Sequence, residues 1–599
     1  MPATAADGLG PPAGGVPPRT AEGGSGFSRQ GGGHNVSMTQ RIAGHVLVEC
    51  LLAQGVTHAF GVPGESYLAA LDGFHQHRDR ISFVICRQEG GAAFMAEAHG
   101  KLTRRPGVCF VTRGPGATNA SIGVHTASQD STPMVLFVGD VASDQRDREA
   151  FQEVDYRAFF GAFGMAKLVE RVDSAERLPE YVARAFATAQ NGRPGPVVLA
   201  LPEDMLTQAV PDGLQPMPRW QPPSYQPDPQ SMQRLRELLL NAKRPIVIAG
   251  GGGWTPEGAR DLQAFAEAWH LPVGNAMRFQ DTFDNRHPLY AGDVGIAINP
   301  KLGQRIKDAD LILAIGPRLG EMTTSGYTLL KVPKPTQKLI HVHTSAEELG
   351  RVYQPDLALC ASLPATAAAL AALAPPAERP WRDWADAVHQ DHVANMQPQP
   401  LPGPIDMHAI VCTLQKLLPE DAAITNGAGN FASWTHRYFH FPGIAKGHKT
   451  QLAPTSGAMG YGVPAGVACA ITTGRTVVTV AGDGDFLMNG QELATARQYG
   501  AKTIVVLLNN GVYGTIRMHQ ARDYPHRQEG TELVNPDFVR LAESYGYAGT
   551  RVERTEQFEP ALREALAREQ GTVIEVMLSE QVITTRTTLD AIENASKKN

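Results

Sequence analysis

Cysteine is scarce in this chain of 599 residues: there are six, with no CxxC pair and no histidine at metal-ligand spacing nearby. That pattern excludes zinc fingers and dithiol redox motifs. Cys50, Cys86, Cys109, Cys360, Cys412 and Cys469 sit scattered in apolar contexts and read as buried reduced thiols of a cytoplasmic protein. No apolar run is long enough to span a bilayer, so no membrane partner is expected. An excess of one charge is also lacking, with 54 Lys+Arg against 60 Asp+Glu and a net charge of −6. No basic stripe suggests nucleic acid. Residues 1–37 are rich in Gly and Pro and lack the apolar middle of a signal peptide. They read as a disordered extension, with Met38 an alternative start.

What the chain does have is length for three or four domains, which excludes a single small binding module. From Met38 onward, amphipathic helices alternate with short β-branched runs such as "ISFVICRQE", "GVCFVTRGPG" and "PMVLFVGDV". Apolar strands without a two-residue period indicate parallel sheet covered on both faces. The expected fold is α/β, with three doubly wound parallel-sheet domains. The first covers 38–206, and a Pro- and Gln-rich linker follows at 207–228. The second covers 229–374, and a second Pro-rich connector runs over 375–404. The third covers 405–585 and leaves a C-terminal tail at 586–599.

In open parallel sheets, ligands sit beyond the carboxyl ends of the strands. Two apolar runs in the third domain end in Gly482-Asp483-Gly484 and Asn509-Asn510, and "FLMNGQELATARQYG" between them is long enough for one crossover helix. Either motif alone reads as a turn. Together they let two neighbouring strands present an acid and an amide to one point. Gly482 and Gly484 would let the backbone approach a ligand, while Asp483, Asn510 and a carbonyl suit a hard cation such as magnesium.

This pair of motifs resembles the metal-diphosphate site of thiamine-diphosphate-dependent enzymes, and the chain from about Met38 onward is similar to the acetolactate synthase branch. The resemblance implies an aminopyrimidine-binding first domain, a central domain and a diphosphate- and magnesium-binding third domain. Asp483, Asn510 and the carbonyl of Val512 would bind Mg2+, with Gly482, Gly484 and Asp485 beside the diphosphate. "CRQEGGAAFMAEAHGK" matches the segment of the catalytic glutamate, which would be Glu89. A carboxyl against the aminopyrimidine, buried among Ala92, Ala93 and Phe94, would help activate the cofactor's reactive carbon. The bland alternative is a helix-start carboxylate stabilised by the dipole. "TRGPGATNA" resembles the loop beside the cofactor, with Gly114 and Gly116 permitting a tight backbone, and "AFQEVD" resembles a segment near the site entrance. In "PTSGAMGYGVPAGVA" Gly457 would contribute a carbonyl and Met459 would lie beneath the bent cofactor, although core packing is the usual role of a methionine. Asn430 in "ITNGAGNFASW" would touch the diphosphate, but Asn430 and Phe431 stand where the synthases have Gln and His.

The implied chemistry is decarboxylation of a 2-oxo acid and transfer of the remaining fragment to a proton or a carbonyl acceptor. The substrate stays open between this carboligase and a lyase or acyl transferase of the same superfamily acting on an acyloin, sulfoacetaldehyde or oxalyl-CoA. A catalytically silent regulator is the reading of a different class. Three departures bear on the choice. Asp140 replaces a Gln and would repel an anionic oxo acid. "GVPGESYL" differs from the synthases' Tyr-Pro-Gly-Gly loop. Met518, His519 and Gln520 occupy the segment that carries their acceptor-selecting Trp. His519 and His125 could move protons at neutral pH, though a structural or solvent-facing place is the commoner fate. FAD stays open, because "HPLYAGDVG" and "GPRLGEMTTSGY" match the flavin segments only partly and "IAGGGG" is a weak dinucleotide signal. The family also implies a homodimer or homotetramer with active sites between subunits.

Overall fold

The computed structural model describes residues 41–161 and 164–596. The proposed extension at 1–37 and the start at Met38 lie outside them. The first sheet contains β1 (His58–Gly61), β2 (Ser82–Ile85), β3 (Gly107–Val111), β4 (Met134–Asp140), β5 (Leu168–Arg171) and β6 (Pro196–Pro202). They lie in the order β2-β1-β3-β4-β6-β5. The second holds β7 (Pro245–Ala249), β8 (Val273–Ala276), β9 (Tyr290–Val294), β10 (Leu311–Ile315), β11 (Lys338–His343) and β12 (Leu357–Cys360). Its order, β12-β11-β10-β7-β8-β9, is that of a dinucleotide-type sheet. The third contains β13 (Ala423–Asn426), β14 (Gln451–Leu452), β15 (Val477–Gly482), β16 (Ile504–Asn509), β17 (Ala548–Val552) and β18 (Thr572–Met577). Its order, β14-β13-β15-β16-β18-β17, repeats that of the first. Every pairing in the three sheets is parallel, and the inner strands are buried throughout, which is why their sequences show no alternation.

The first and third sheets meet through two small-residue helices, Glu89–Thr103 and Gly462–Thr473, whose inner faces share one core. Phe94 and Tyr461 contact edge to face across this seam, with ring centroids 5.3 Å apart. Lys101 is buried there, with Nζ 3.1 Å from Glu97 and 3.1 Å from the Ala453 carbonyl, and it also pairs with Asp130.

One expected connector and the expected tail are more structured than their composition suggested. The stretch at 375–404 contains a helix, Arg382–Asn395, that buries Ala385, Val388 and His392, while Trp381 just before it stacks on Trp269. Prolines at both ends of the stretch masked that helical stripe. The expected tail also contains a helix, Leu589–Ser596, which packs with Ile583 against the helix Gly514–Asp523.

Candidate active site

The loops after β13, β15 and β16 close on a cleft of about 250 Å³. Of the predicted site residues, Asn430, Gly457, Met459, Gly482, Asp483, Gly484, Asp485, Asn510 and Val512 line it, whereas Glu89 and Gly114 do not. Met459 faces the cleft half-buried and is absent from the core. Gly457 has φ +68 in open space, a conformation for which glycine is favoured.

Asp483 is 3% exposed at the end of β15. Its Oδ1 accepts from the Gly484 amide at 3.0 Å, and its Oδ2 accepts from the Gly511 amide at 2.8 Å and from Asn535 Nδ2 at 2.7 Å. Burial raises its pKa, opposed by the hydrogen bonds from Asn535 and the backbone. The two asparagines after β16 separate in role. Asn510 faces the cleft, with Oδ1 accepting from the Val512 amide at 3.3 Å. Asn509 turns into the sheet, where its Nδ2 donates to Glu575 at 2.8 Å. Asp485 is raised further, to about 7, again by burial.

Gly482 and Gly484 line the cleft, and each also lies against an aromatic ring. A Cβ on Gly482 would stand 2.7 Å from the Phe431 ring, and one on Gly484 would stand 2.5 Å from the Tyr513 ring. Their missing side chains leave room for two aromatic walls of the same cleft. Asn430 is also committed internally: its Nδ2 donates to the Ile583 carbonyl at 3.0 Å and its Oδ1 accepts from Thr515 at 3.1 Å. Tyr513 and Asn535 escaped the sequence reading, and Phe431 entered it only as a departure from the family pattern. Asn535 carries no motif and reaches Asp483 only through the fold.

Glu89 begins its helix at the end of β2. Asn119 Nδ2 donates to its carboxylate at 2.9 Å, and a Cβ on Gly116 would come 3.6 Å from Glu89 Oε1. Glu89 is half-buried rather than enclosed by Ala92, Ala93 and Phe94, because those side chains turn into the core shared with the third sheet. Gly114 has φ +29, and the Gln152 carbonyl would lie 2.6 Å from its Cβ. The "AFQEVD" segment therefore fills the space over Gly114.

Asp140 is not a free acid either. Arg171 Nε donates to it at 2.8 Å, so its charge is matched. In the departing loop, Glu65 pairs with Arg113 at 2.6 Å, and Arg113 also reaches Glu203 at 3.1 Å. Met518, His519 and Gln520 do not line the cleft, which the same segment reaches through Tyr513, Thr515 and Ile516. Met518 instead packs against the last helix, and Gln520 Nε2 donates to the Glu529 carbonyl at 2.9 Å. His125 is exposed and His519 is half-buried. Cys360 and Cys412 are exposed, contrary to expectation, and His408, one turn before Cys412 and 3.5 Å from it, corrects the expectation that no histidine stands at such spacing from a cysteine. Among the described residues no cluster of His, Cys, Asp and Glu forms a metal site of its own.

Comparison with known proteins agrees with the geometry. Residues 41–159 match the thiamine pyrophosphate enzyme N-terminal TPP binding domain, 232–370 the central domain, and 427–576 the C-terminal TPP binding domain. The acetolactate synthase isozyme 3 large subunit of Escherichia coli K12 is 32% identical over 552 residues, covering 87% of this chain and 91% of that protein. The chain belongs to the thiamine pyrophosphate enzyme family, on its acetolactate synthase branch. A probable acetolactate synthase large subunit of Methanocaldococcus jannaschii is 28% identical over 550 residues, covering 89% of this chain and 91% of that protein. The mitochondrial acetolactate synthase of Schizosaccharomyces pombe is 27% identical over 573 residues, covering 92% and 85%.

In this thiamine pyrophosphate enzyme the central sheet also has a cavity at its switch point, lined by Gly251, Met277, Pro317 and Arg318. The glycine run there is already explained by the fold. A Cβ on Gly251 would meet the Gly316 carbonyl at 2.2 Å, and one on Gly252 the Ser131 carbonyl at 2.4 Å. Among the described residues no helix is long and apolar enough to cross a membrane.

Proposed function

We propose that the enzyme is a thiamine-diphosphate- and Mg2+-dependent decarboxylase and carboligase of 2-oxo acids, similar to acetolactate synthase. One observation carries the metal. Among the described residues the cleft is lined by two carboxylates, Asp483 and Asp485, and by no Lys, Arg or His. A diphosphate anion would be repelled there unless a cation came with it. Asp483, the Asn510 amide oxygen and the Val512 carbonyl are the hard oxygen donors that suit magnesium. When bound, the cofactor supplies the electron sink for losing carbon dioxide and passing the remainder to an acceptor.

The chain's own part is to bind and orient. Gly457 and Met459 form the wall on the aminopyrimidine side, and Asn119 fixes the Glu89 carboxylate, which would hold and release the proton that activation requires. Because Glu89 lies outside the cleft of its own chain, we place the complete site between two copies, with Glu89 contributed by one and the cleft by the other. Ile122, 41% exposed beside Gly90, and Leu487 and Met488, 45% and 47% exposed next to the cleft, give that contact apolar surface. A cytoplasmic location accords with six unpaired cysteines.

The test is turnover of the full chain with thiamine diphosphate and Mg2+ on a panel of 2-oxo acids, acyloins and thioesters, read by carbon dioxide release and product mass. Glu89→Gln should fold and still bind cofactor but lose about 10²–10⁴-fold in rate. Turnover confined to acyloins or thioesters would transfer the assignment to the lyase or acyl-transferase reading, and no turnover at all would favour the regulator. Visible flavin absorbance in the purified sample would decide whether FAD is bound.

A further inference from the structure

Asp485 stands two residues after the expected metal ligand, on the first turn of the helix Asp483–Asn489, and is 2% exposed. Its Oδ1 accepts from the Gly460 amide at 2.9 Å and from the Ala428 amide at 3.1 Å. One oxygen therefore ties together three loops of the cleft: the one after β13, the one after β15, and the one that carries Gly457 and Met459. A Cβ on Gly427 would fall 2.0 Å from this oxygen, so the carboxylate fills the pocket that the first loop would otherwise leave. Its other oxygen, Oδ2, is buried and has no hydrogen-bond partner among the described residues. Leaving a buried acceptor unpaired is costly, so its position calls for a donor supplied from the cleft.

With Asp485 ionised, Oδ2 can only accept, and a diphosphate oxygen cannot be its donor, since that too only accepts. Magnesium, by contrast, gives up its waters reluctantly and keeps several when bound to proteins. Building on the magnesium reading above, we infer that Asp485 is a positioning residue for the metal, bracing the cleft loops through Oδ1 and accepting from a metal-bound water through Oδ2. Partners of this kind, one step removed from the ion, typically change metal affinity about 10–100-fold.

Mn2+ serves as the probe, titrated into the full chain with thiamine diphosphate present and followed by the loss of its free electron-spin signal, so that no turnover is needed. Asp483→Asn tests the metal reading itself. Asp485→Asn keeps one oxygen for the Gly460 and Ala428 amides but turns the other position into a donor, whereas Asp485→Ser removes both. The inference expects Asp483→Asn to abolish Mn2+ binding and both Asp485 variants to weaken it about tenfold or more. Unchanged binding in Asp483→Asn would overturn the metal reading. Loss in Asp483→Asn with full affinity in Asp485→Asn would leave the metal reading standing and overturn the water contact. Thermal unfolding of each variant separates weakened binding from failure to fold.

Discussion

Asp293 shows how strongly this fold can move a single acid. It lies in β9, and burial raises its carboxyl from the ordinary 3.8 to about 7, with Arg278 only partly opposing the shift. Between those values the folded chain holds a proton that the unfolded chain has released. Asp293 therefore contributes stability that is complete below about pH 4 and lost as pH rises through about 7. The uncharged Asp293→Asn should melt close to the parent at pH 4 and gain on it progressively toward pH 8, by up to about 4 kcal/mol. A difference independent of pH in thermal unfolding would show that Asp293 titrates normally in the fold. The residue scale also marks where motif reading stops. "NN" cannot say which asparagine faces a ligand, and only the pairing of β16 with β18 turns Asn509 toward Glu575 and leaves Asn510 for the cleft.

At the scale of elements, the seam between helix and sheet depends on atoms that are missing. β3 runs so close beneath the helix Glu89–Thr103 that a Cβ on Gly107 would lie 1.7 Å from the Ala96 carbonyl. Gly107→Ala should therefore push that helix away and destabilise the fold by about 1–3 kcal/mol or more, and because Glu89 starts the helix, activity should fall as well. Chemical denaturation beside an assay checks both; an unchanged midpoint would mean that the helix yields at no cost. The strands were legible because a buried parallel strand must be apolar along its whole length. The helix Arg382–Asn395 was not, since flanking prolines and a charged outer face imitate a linker until Trp381 is seen stacked on Trp269.

At the scale of the molecule, the division of labour between two copies makes a quantitative prediction. Glu89→Gln and Asp483→Asn should each be inactive alone. Co-refolded in equal amounts, half the dimers should be hybrids with one of two sites intact, restoring about a quarter of parental activity. No recovery, with hybrids demonstrated by mass, would place Glu89 and the cleft of one chain in the same site.

The sequence by itself determined the α/β class and the small set of acids and amides that can do chemistry, because strand periodicity, turn residues and ligand types are local properties. It also carried the family likeness through Glu89 and the pair Asp483 and Asn510. Only the tertiary structure decided how those groups are used. It matched Asp140 with Arg171, set Gly482 and Gly484 against the aromatic walls of the cleft, brought Asn535 to Asp483, and left Glu89 outside that cleft. Each of these depends on distances between residues far apart in the chain, which local pattern does not encode.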